Sequence, residues 1–130
     1  MKFRSTVLAS SLAIAALTIA TQASAACAYP KAPDKIPDGS KATKEEMIAG
    51  MKMMRAYNDQ IKTYTDCLKD EHDAAAAKID PGLADDKKSA QKAELDKVLA
   101  QKNDAAVDDA STVTGRFNDQ IKAYNAAHKS

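Results

Sequence analysis

The sequence predicts an all-α fold, a long antiparallel helical hairpin with an extended N-terminal arm tethered by a disulfide. Two long segments carry apolar residues at helical spacing, and a Pro-Gly pair separates them. The chain has two cysteines, one in the proline-rich stretch before the first segment and one inside that segment. A single bridge between them would hold the stretch against the hairpin.

The first 25 residues have the pattern of a cleaved export signal. Lys2 and Arg4 give a short basic region, an apolar run covers residues 7–20, and Ala-Ser-Ala at 23–25 supplies the small residues that a signal peptidase requires. The apolar run is short for a membrane crossing, and polar residues follow it. We therefore expect a periplasmic or secreted protein with no membrane span after signal cleavage.

The mature chain is expected to have about 105 residues, which is one small domain. Without Lys2 and Arg4, 17 basic residues remain against 18 acidic ones, a net charge of −1. A nearly neutral chain with interleaved charges lacks the basic patch that binding to nucleic acid or to an anionic membrane requires. The absence of Trp and the low aromatic content of 5% argue against a large globular core.

Cys27 and Cys67 are expected to form one intramolecular disulfide, because exported proteins meet an oxidising environment. The bridge would make the arm run back along the first helix, antiparallel to it. A free thiol, an intermolecular bridge and a lipid anchor on Cys27 are the alternatives. Ser24 stands where a lipoprotein processing box usually has an aliphatic residue, which speaks against the anchor.

Residues 26–42 are predicted to be the arm, because three prolines favour extended backbone there. The first helix is predicted at about 43–78, beginning with a capping box between Thr43 and Glu46. Seven apolar residues at spacings of three and four define its core face: Met47, Met51, Met54, Tyr57, Ile61, Tyr64 and Leu68.

The second helix is predicted at about 83–128. Asp80 is expected to cap it, with Pro81 in its first position. Residues Thr114 and Gly115 weaken the helical pattern, so the last segment either continues the helix or folds back. The predicted core face of this helix carries Leu95, Leu99, Ala106, Ala110, Val113, Phe117, Ile121 and Tyr124.

A hairpin centred on Pro81 places Thr43 opposite Asp119, so the second helix would extend past the start of the first. The apolar residues near its end would then lack a helical partner. We expect them to form an exposed patch that binds a protein partner or a second copy of the chain. This candidate interaction patch consists of Phe117, Ile121 and Tyr124.

A short internal repeat links the two helices. Residues 57–64 recur as residues 117–124, with six of eight positions identical. The favoured interpretation is that both copies form the same helix-packing unit. The alternative is a paired recognition surface made by their Asn-Asp-Gln faces.

Several segments together resemble a group of small secreted proteins of Gram-negative bacteria. They are Cys-Ala-Tyr-Pro at the start of the arm, the Ile-Pro-Asp-Gly turn, Glu-Glu-Met at the first helix start, Lys-Asn-Asp-Ala-Ala-Val-Asp, and the closing Arg-Phe-Asn-Asp-Gln. The resemblance covers nearly all of residues 27–124. It implies export and a helical architecture, and it assigns no functional residue.

No catalytic, cofactor or metal site is predicted. Four methionines lie close together at residues 47–54, and such a cluster suggests a Cu(I) site. Three of them lie on the core face, however, where the flexible Met side chain commonly fills gaps in packing. His72 lacks ligand-type residues three or four positions away, so it is assigned to a solvated helix face. The sequence has neither triad spacing nor a glycine-rich phosphate loop.

The expected function is therefore that of a non-catalytic periplasmic or secreted helical protein, an interaction or structural module of the cell envelope. One alternative is a small-ligand or Cu(I)-binding protein that uses the Met and Tyr side chains. Another is a helper that binds unfolded chains through exposed apolar helix faces. The first and the last predict a protein partner.

Overall fold

The computed structural model describes residues 26–129, which fold into two helices, α1 (Lys44–Ala76) and α2 (Asp85–Ala127), preceded by an extended arm. The described residues contain no strand. The predicted all-α hairpin with a disulfide-tethered arm is confirmed. The predicted export signal lies outside the described residues. No helix in the described part combines the length and apolar character that a membrane crossing requires.

The predicted capping box begins α1. The Thr43 Oγ1 accepts a hydrogen bond from the Glu46 N–H at 3.2 Å, and the Glu46 carboxylate accepts one from the Thr43 N–H at 2.7 Å. The first turn of a helix has N–H groups without partners inside the helix. The capping box gives a partner to one of these N–H groups, that of Glu46, and also to the N–H of the cap residue Thr43. It therefore fixes where α1 starts.

Asp80 does not cap α2, so that prediction is wrong. The helix begins at Asp85, Ala84 is its N-cap residue, and no side chain caps it. The Asp80 carboxylate instead accepts a hydrogen bond from the Gly82 N–H at 2.8 Å, and the Asp80 carbonyl accepts one from the Leu83 N–H at 3.2 Å. Asp commonly closes a turn on the backbone two residues ahead, and this turn keeps Pro81 out of the helix.

The core lies along the seam between the helices. Most of the predicted core face of α1 is buried, but Met51 is 41% exposed. Gly50 takes the interface position instead, since a Cβ there would lie 2.7 Å from the Phe117 ring. The ring therefore packs where α1 has no side chain, and Met51, the next residue, lies on a more exposed face of the helix. The buried apolar residues of the helices are Met47, Met54, Tyr57, Ile61, Tyr64, Leu68, Ala106, Val113 and Phe117.

The register of the hairpin also differs from the prediction. The His72 Nε2 lies 2.7 Å from the Asp96 Oδ1, whereas a hairpin centred on Pro81 would place His72 near Ala90. Hydrogen-bonded turns at residues 77–79 carry the chain beyond α1 before it reverses. The midpoint of the hairpin therefore lies later in the sequence than Pro81, and α1 faces a later part of α2.

The arm runs back along α1, as predicted, and contacts both helices. The disulfide joins Cys27 to Cys67 with a Cα–Cα distance of 5.8 Å. The Tyr29 ring packs edge-to-face on Tyr64 with centroids 5.0 Å apart, and its hydroxyl donates to the Asp109 carboxylate of α2 at 2.5 Å. The arm is thus a third layer over one side of the seam.

The turn that ends the arm packs directly on the last turns of α2. The Gly39 N–H donates to the Gln120 side-chain oxygen at 2.9 Å. A Cβ at residue 39 would lie 1.8 Å from the Gln120 carbonyl oxygen and 2.9 Å from the Tyr124 nitrogen. Only glycine permits this approach of two backbones. The arm therefore closes the end of the hairpin at which α1 begins.

This close approach predicts opposite effects for two glycine substitutions. Gly39→Ala should lower the free energy of unfolding by about 1–3 kcal/mol, because the new methyl group overlaps backbone that cannot move aside easily. Gly115→Ala should raise it by about 0.5–1 kcal/mol, because residue 115 is helical and nothing lies within 4 Å of its Cβ position. Urea denaturation of both variants measures the difference. Equal effects of the same sign would contradict the packed turn.

Candidate functional site

The end of α2 does not form the expected exposed patch. Phe117 is only 4% exposed, and Ile121 and Tyr124 are partly buried against the core. The chain does not fold back at Gly115 either, since α2 continues to Ala127. The shifted register places Phe117 over Gly50, and the turn at the end of the arm covers the rest. The prediction of an exposed patch is therefore wrong.

The two copies of the repeat both bury their aromatic first residue, but their glutamines make different contacts. Tyr57 of the first copy and Phe117 of the second are both buried. Gln120 binds the Gly39 N–H and so holds the arm, whereas Gln60 lines a shallow hollow beside Tyr29. The buried aromatic positions agree with a repeated helix-packing unit.

An open groove lies between the arm and the first three turns of α1, and we call it the arm groove. Its volume is about 670 Å³. Residues of the arm between positions 35 and 42 and residues of α1 between positions 46 and 53 line it. Apolar or small residues make its floor: Ile36, Pro37, Ala42, Ala49, Gly50 and Met53.

The charged side chains on the rim of the arm groove differ in the hydrogen bonds and ion pairs that they form. The Asp38 carboxylate accepts hydrogen bonds from the Ser40 hydroxyl at 2.6 Å and the Ser40 N–H at 3.1 Å, which lowers the pKa of Asp38. Glu46 is held in the capping box. Lys41 is 3.8 Å from Asp38, and Lys35 forms no ion pair with any of residues 26–129. The lining therefore carries two lysines and two carboxylates, and its formal charge is balanced.

Tyr29 links the arm to α2 as a protonated phenol. The hydrogen bond to the Asp109 carboxylate, helped by partial burial, raises the pKa of Tyr29 to about 12. Its ring lies near Tyr57, whose hydroxyl is buried without a hydrogen-bond partner among the described atoms. Burial raises the pKa of Tyr57 as well. Both phenols therefore stay neutral at ordinary pH, which suits a structural role in holding the arm.

His72 bridges α1 and α2, so its assignment to a solvated face is wrong. Its side chain is 15% exposed and lies between the carboxylates of Asp73, at 3.1 Å, and Asp96, at 2.7 Å. The hydrogen bonds to Asp73 and then to Asp96 raise the pKa of His72. Only the imidazolium can donate to both carboxylates at once. The helical spacing around His72 could not indicate this contact, because Asp96 lies on the other helix.

The raised pKa of His72 predicts a pH dependence of stability. The contribution of His72 should be fully present below its unfolded pKa, near 6.5, and should be lost as the pH rises through the raised folded pKa. Urea midpoints measured from pH 5 to pH 9 should therefore fall more steeply above neutrality for the native chain than for His72→Gln. An identical pH profile for the two proteins would show that His72 does not gain stability from the two carboxylates.

The other candidate ligand groups do not converge on an open site. The Cys27 and Cys67 sulfurs and a Glu71 oxygen lie within 4.8 Å of one another, but the sulfurs are bonded together and Glu71 accepts the Cys27 N–H at 2.9 Å. Met47 and Met54 are buried in the core. Their positions favour packing over a shared metal site.

Met53 and the arm residues were not assigned to a site from the sequence. Met53 lies outside the core stripe of α1 and lines the arm groove together with Ile36. The helical period placed it off the core, but the groove exists only once the arm is folded back.

Comparison of the chain with protein-family models, with curated proteins and with solved structures returned no match. The resemblance to small secreted proteins stays a prediction.

Proposed function

We propose that this protein is a non-catalytic binding module that acts outside the cytosol, with the arm groove as its binding surface. The observation that carries the proposal is the groove itself, an open, mostly apolar concavity of about 670 Å³. Small-molecule sites in proteins fall in the range of about 300–1,000 Å³ and are mostly apolar with a few polar groups. The groove has that composition and that size.

The proposed compartment is supported by the disulfide and by the signal-like pattern of the first 25 residues. A structural disulfide persists in oxidising compartments and is rare in the cytosol. The basic region, apolar run and small residues of the first 25 positions have the order of a cleaved signal. Both features support a periplasmic or secreted location for the mature chain.

A binding role suits the chemistry at the groove better than catalysis. The two carboxylates on the rim, Asp38 and Glu46, are held by neighbouring backbone and hydroxyl groups. His72 lies at the other end of the hairpin and is held by Asp73 and Asp96. Carboxylates that already accept hydrogen bonds from their own chain favour a binding role for the groove over a general-base role.

The proposal is tested by blocking the groove. Ala49 is exposed on its floor, so Ala49→Trp should fill the groove without disturbing the core. Ala90→Trp, at an exposed position of α2, is the matched control. Native mass spectrometry of protein purified from the exported fraction should show a bound species with the native chain and with Ala90→Trp, but not with Ala49→Trp. A bound species absent from the native chain, or equally present with both variants, would refute the proposal.

A further inference from the structure

We propose that Glu71 protects the disulfide between Cys27 and Cys67 from reduction by thiols, and so keeps the arm attached to α1. The observation behind the proposal is a cluster of three groups at the start of the arm. The two sulfurs and a Glu71 carboxylate oxygen lie within 4.8 Å of one another, and all three residues are partly buried. The negative charge of Glu71 therefore lies beside the bond that a thiol would attack.

Two features of the fold place the Glu71 carboxylate at the disulfide. Glu71 is four residues after Cys67 in α1, so both side chains lie on the same face of the helix. The Cys27 N–H donates to the Glu71 Oε1 at 2.9 Å, which ties the carboxylate to the other half of the disulfide. Within residues 26–129 Glu71 forms no ion pair, so no cationic side chain there is bound to it.

Reduction by a thiol brings negative charge toward this carboxylate. A thiolate sulfur forms a bond to one cysteine sulfur, the bond between Cys27 and Cys67 breaks, and its electron pair leaves on the other cysteine sulfur as a thiolate. A second thiolate attacks the mixed disulfide and releases a small-molecule disulfide, so the protein gains two electrons and the thiol is oxidised.

The expected size of the protection follows from the repulsion between the charges. Two like unit charges about 4 Å apart repel by about 1 kcal/mol even in water, which corresponds to about a fivefold change in rate. Partial burial of the three residues reduces screening by solvent, so the repulsion at the disulfide should be at least this large.

The charge of Glu71 is tested with three thiols: neutral 2-mercaptoethanol, cationic cysteamine and anionic 2-mercaptoethanesulfonate. The disulfide-intact mature protein reacts with an excess of each at pH 9, where the α-amino group at the predicted N-terminus of the mature chain is mostly neutral. Rapid alkylation and intact mass follow the loss of the disulfide. We expect rates proportional to thiol concentration, and a higher rate per thiolate for cysteamine than for mercaptoethanesulfonate.

Glu71→Gln keeps an acceptor for the Cys27 N–H and removes the charge. It should react with 2-mercaptoethanol about fivefold faster than the native chain, and its rate ratio of cysteamine to mercaptoethanesulfonate should fall about threefold or more. Glu94→Gln, at an exposed position of α2, is the matched control and should react as the native chain does. If Glu71 acted only through its hydrogen bond, the variant would speed all three reactions equally, which would overturn the proposal.

A salt series on the native chain tests the same charge without a substitution. Raising the ionic strength from about 0.01 M to about 1 M shortens the screening length from about 30 Å to about 3 Å. The rate ratio of the two charged thiols should then fall toward that of Glu71→Gln. An unchanged ratio, or equal rates of the native chain and Glu71→Gln with 2-mercaptoethanol, would contradict the proposal. So would a rate that does not depend on thiol concentration, because exchange would then wait for the arm to open.

Discussion

Replacing both Cys27 and Cys67 with Ser is expected to lower the free energy of unfolding by about 4 kcal/mol. The bridge closes a loop whose ends are 40 residues apart in the sequence, and in the chain-entropy model a loop of this size is stabilised by about that amount. For a domain of this size the loss is a large part of the total stability. Urea denaturation of the native chain and the double variant, monitored by helical circular dichroism, measures it.

The native chain under reducing conditions is the control for this prediction. It should match the double variant, because both lack the bridge and retain every other contact of the arm. The Tyr29 hydrogen bond to Asp109 and the Gly39 hydrogen bond to Gln120 would then be the main remaining attachments. A loss of less than about 1 kcal/mol would mean that these contacts hold the arm without the disulfide.

Phe117→Ala is expected to lower the free energy of unfolding by about 3–5 kcal/mol. The ring is 4% exposed and packs on Gly50 and Pro37, so its removal loses apolar burial and leaves a cavity between α1, α2 and the arm. Arg116→Ala, at the exposed neighbouring position, should change stability by less than about 0.5 kcal/mol. Thermal and urea denaturation of the two variants give the comparison.

The same pair of variants distinguishes a buried ring from an interaction surface. If Phe117 lay in an exposed patch, Phe117→Ala would leave the monomer as stable as Arg116→Ala and would reduce self-association instead. Sedimentation of both variants over a range of concentrations supplies that second measurement. A stable Phe117→Ala monomer with lost self-association would contradict the covered end of the hairpin.

The features that the sequence predicted are those set by local chemistry. The capping box needs only Thr43 and Glu46, three residues apart, and the core face of α1 needs only the helical period. The arm follows from its prolines, and its direction follows from the position of Cys67 in α1. Each of these depends on neighbours in the chain or on one covalent bond.

The features that the sequence did not predict depend on contacts between distant segments. Gly39 and Gly50 permit the close approach of the arm and of the Phe117 ring, but a glycine does not indicate which segment will approach it. The sequence pattern allows Asp80 two roles, a helix cap and a turn, and in the structure its carboxylate accepts the Gly82 N–H of a turn. The register depends on the whole connection between the helices, including the turns at residues 77–79.

The candidate site follows from these long-range contacts, which is why no pattern revealed it. The arm groove is lined by residues of the arm and of α1, which only folding brings together. The disulfide at one end and the Gly39 turn at the other position the arm relative to α1. Because residues on both sides of Gly39 line the groove, loss of the Gly39 contact with Gln120 is expected to disturb the groove as well as to lower stability.

The docking of the arm on α2 is the central claim, and a single nuclear Overhauser measurement tests it most directly. In the isotope-labelled, disulfide-intact mature protein, the Gly39 Hα protons should show a strong cross-peak to the Tyr124 amide proton, because a Cβ at residue 39 would lie 2.9 Å from the Tyr124 nitrogen. The Gly115 Hα protons should show no cross-peak to another segment, since nothing lies within 4 Å of the Cβ position there. Absence of the Gly39–Tyr124 cross-peak, in a spectrum that resolves both residues, would contradict the docked arm and the groove that it forms.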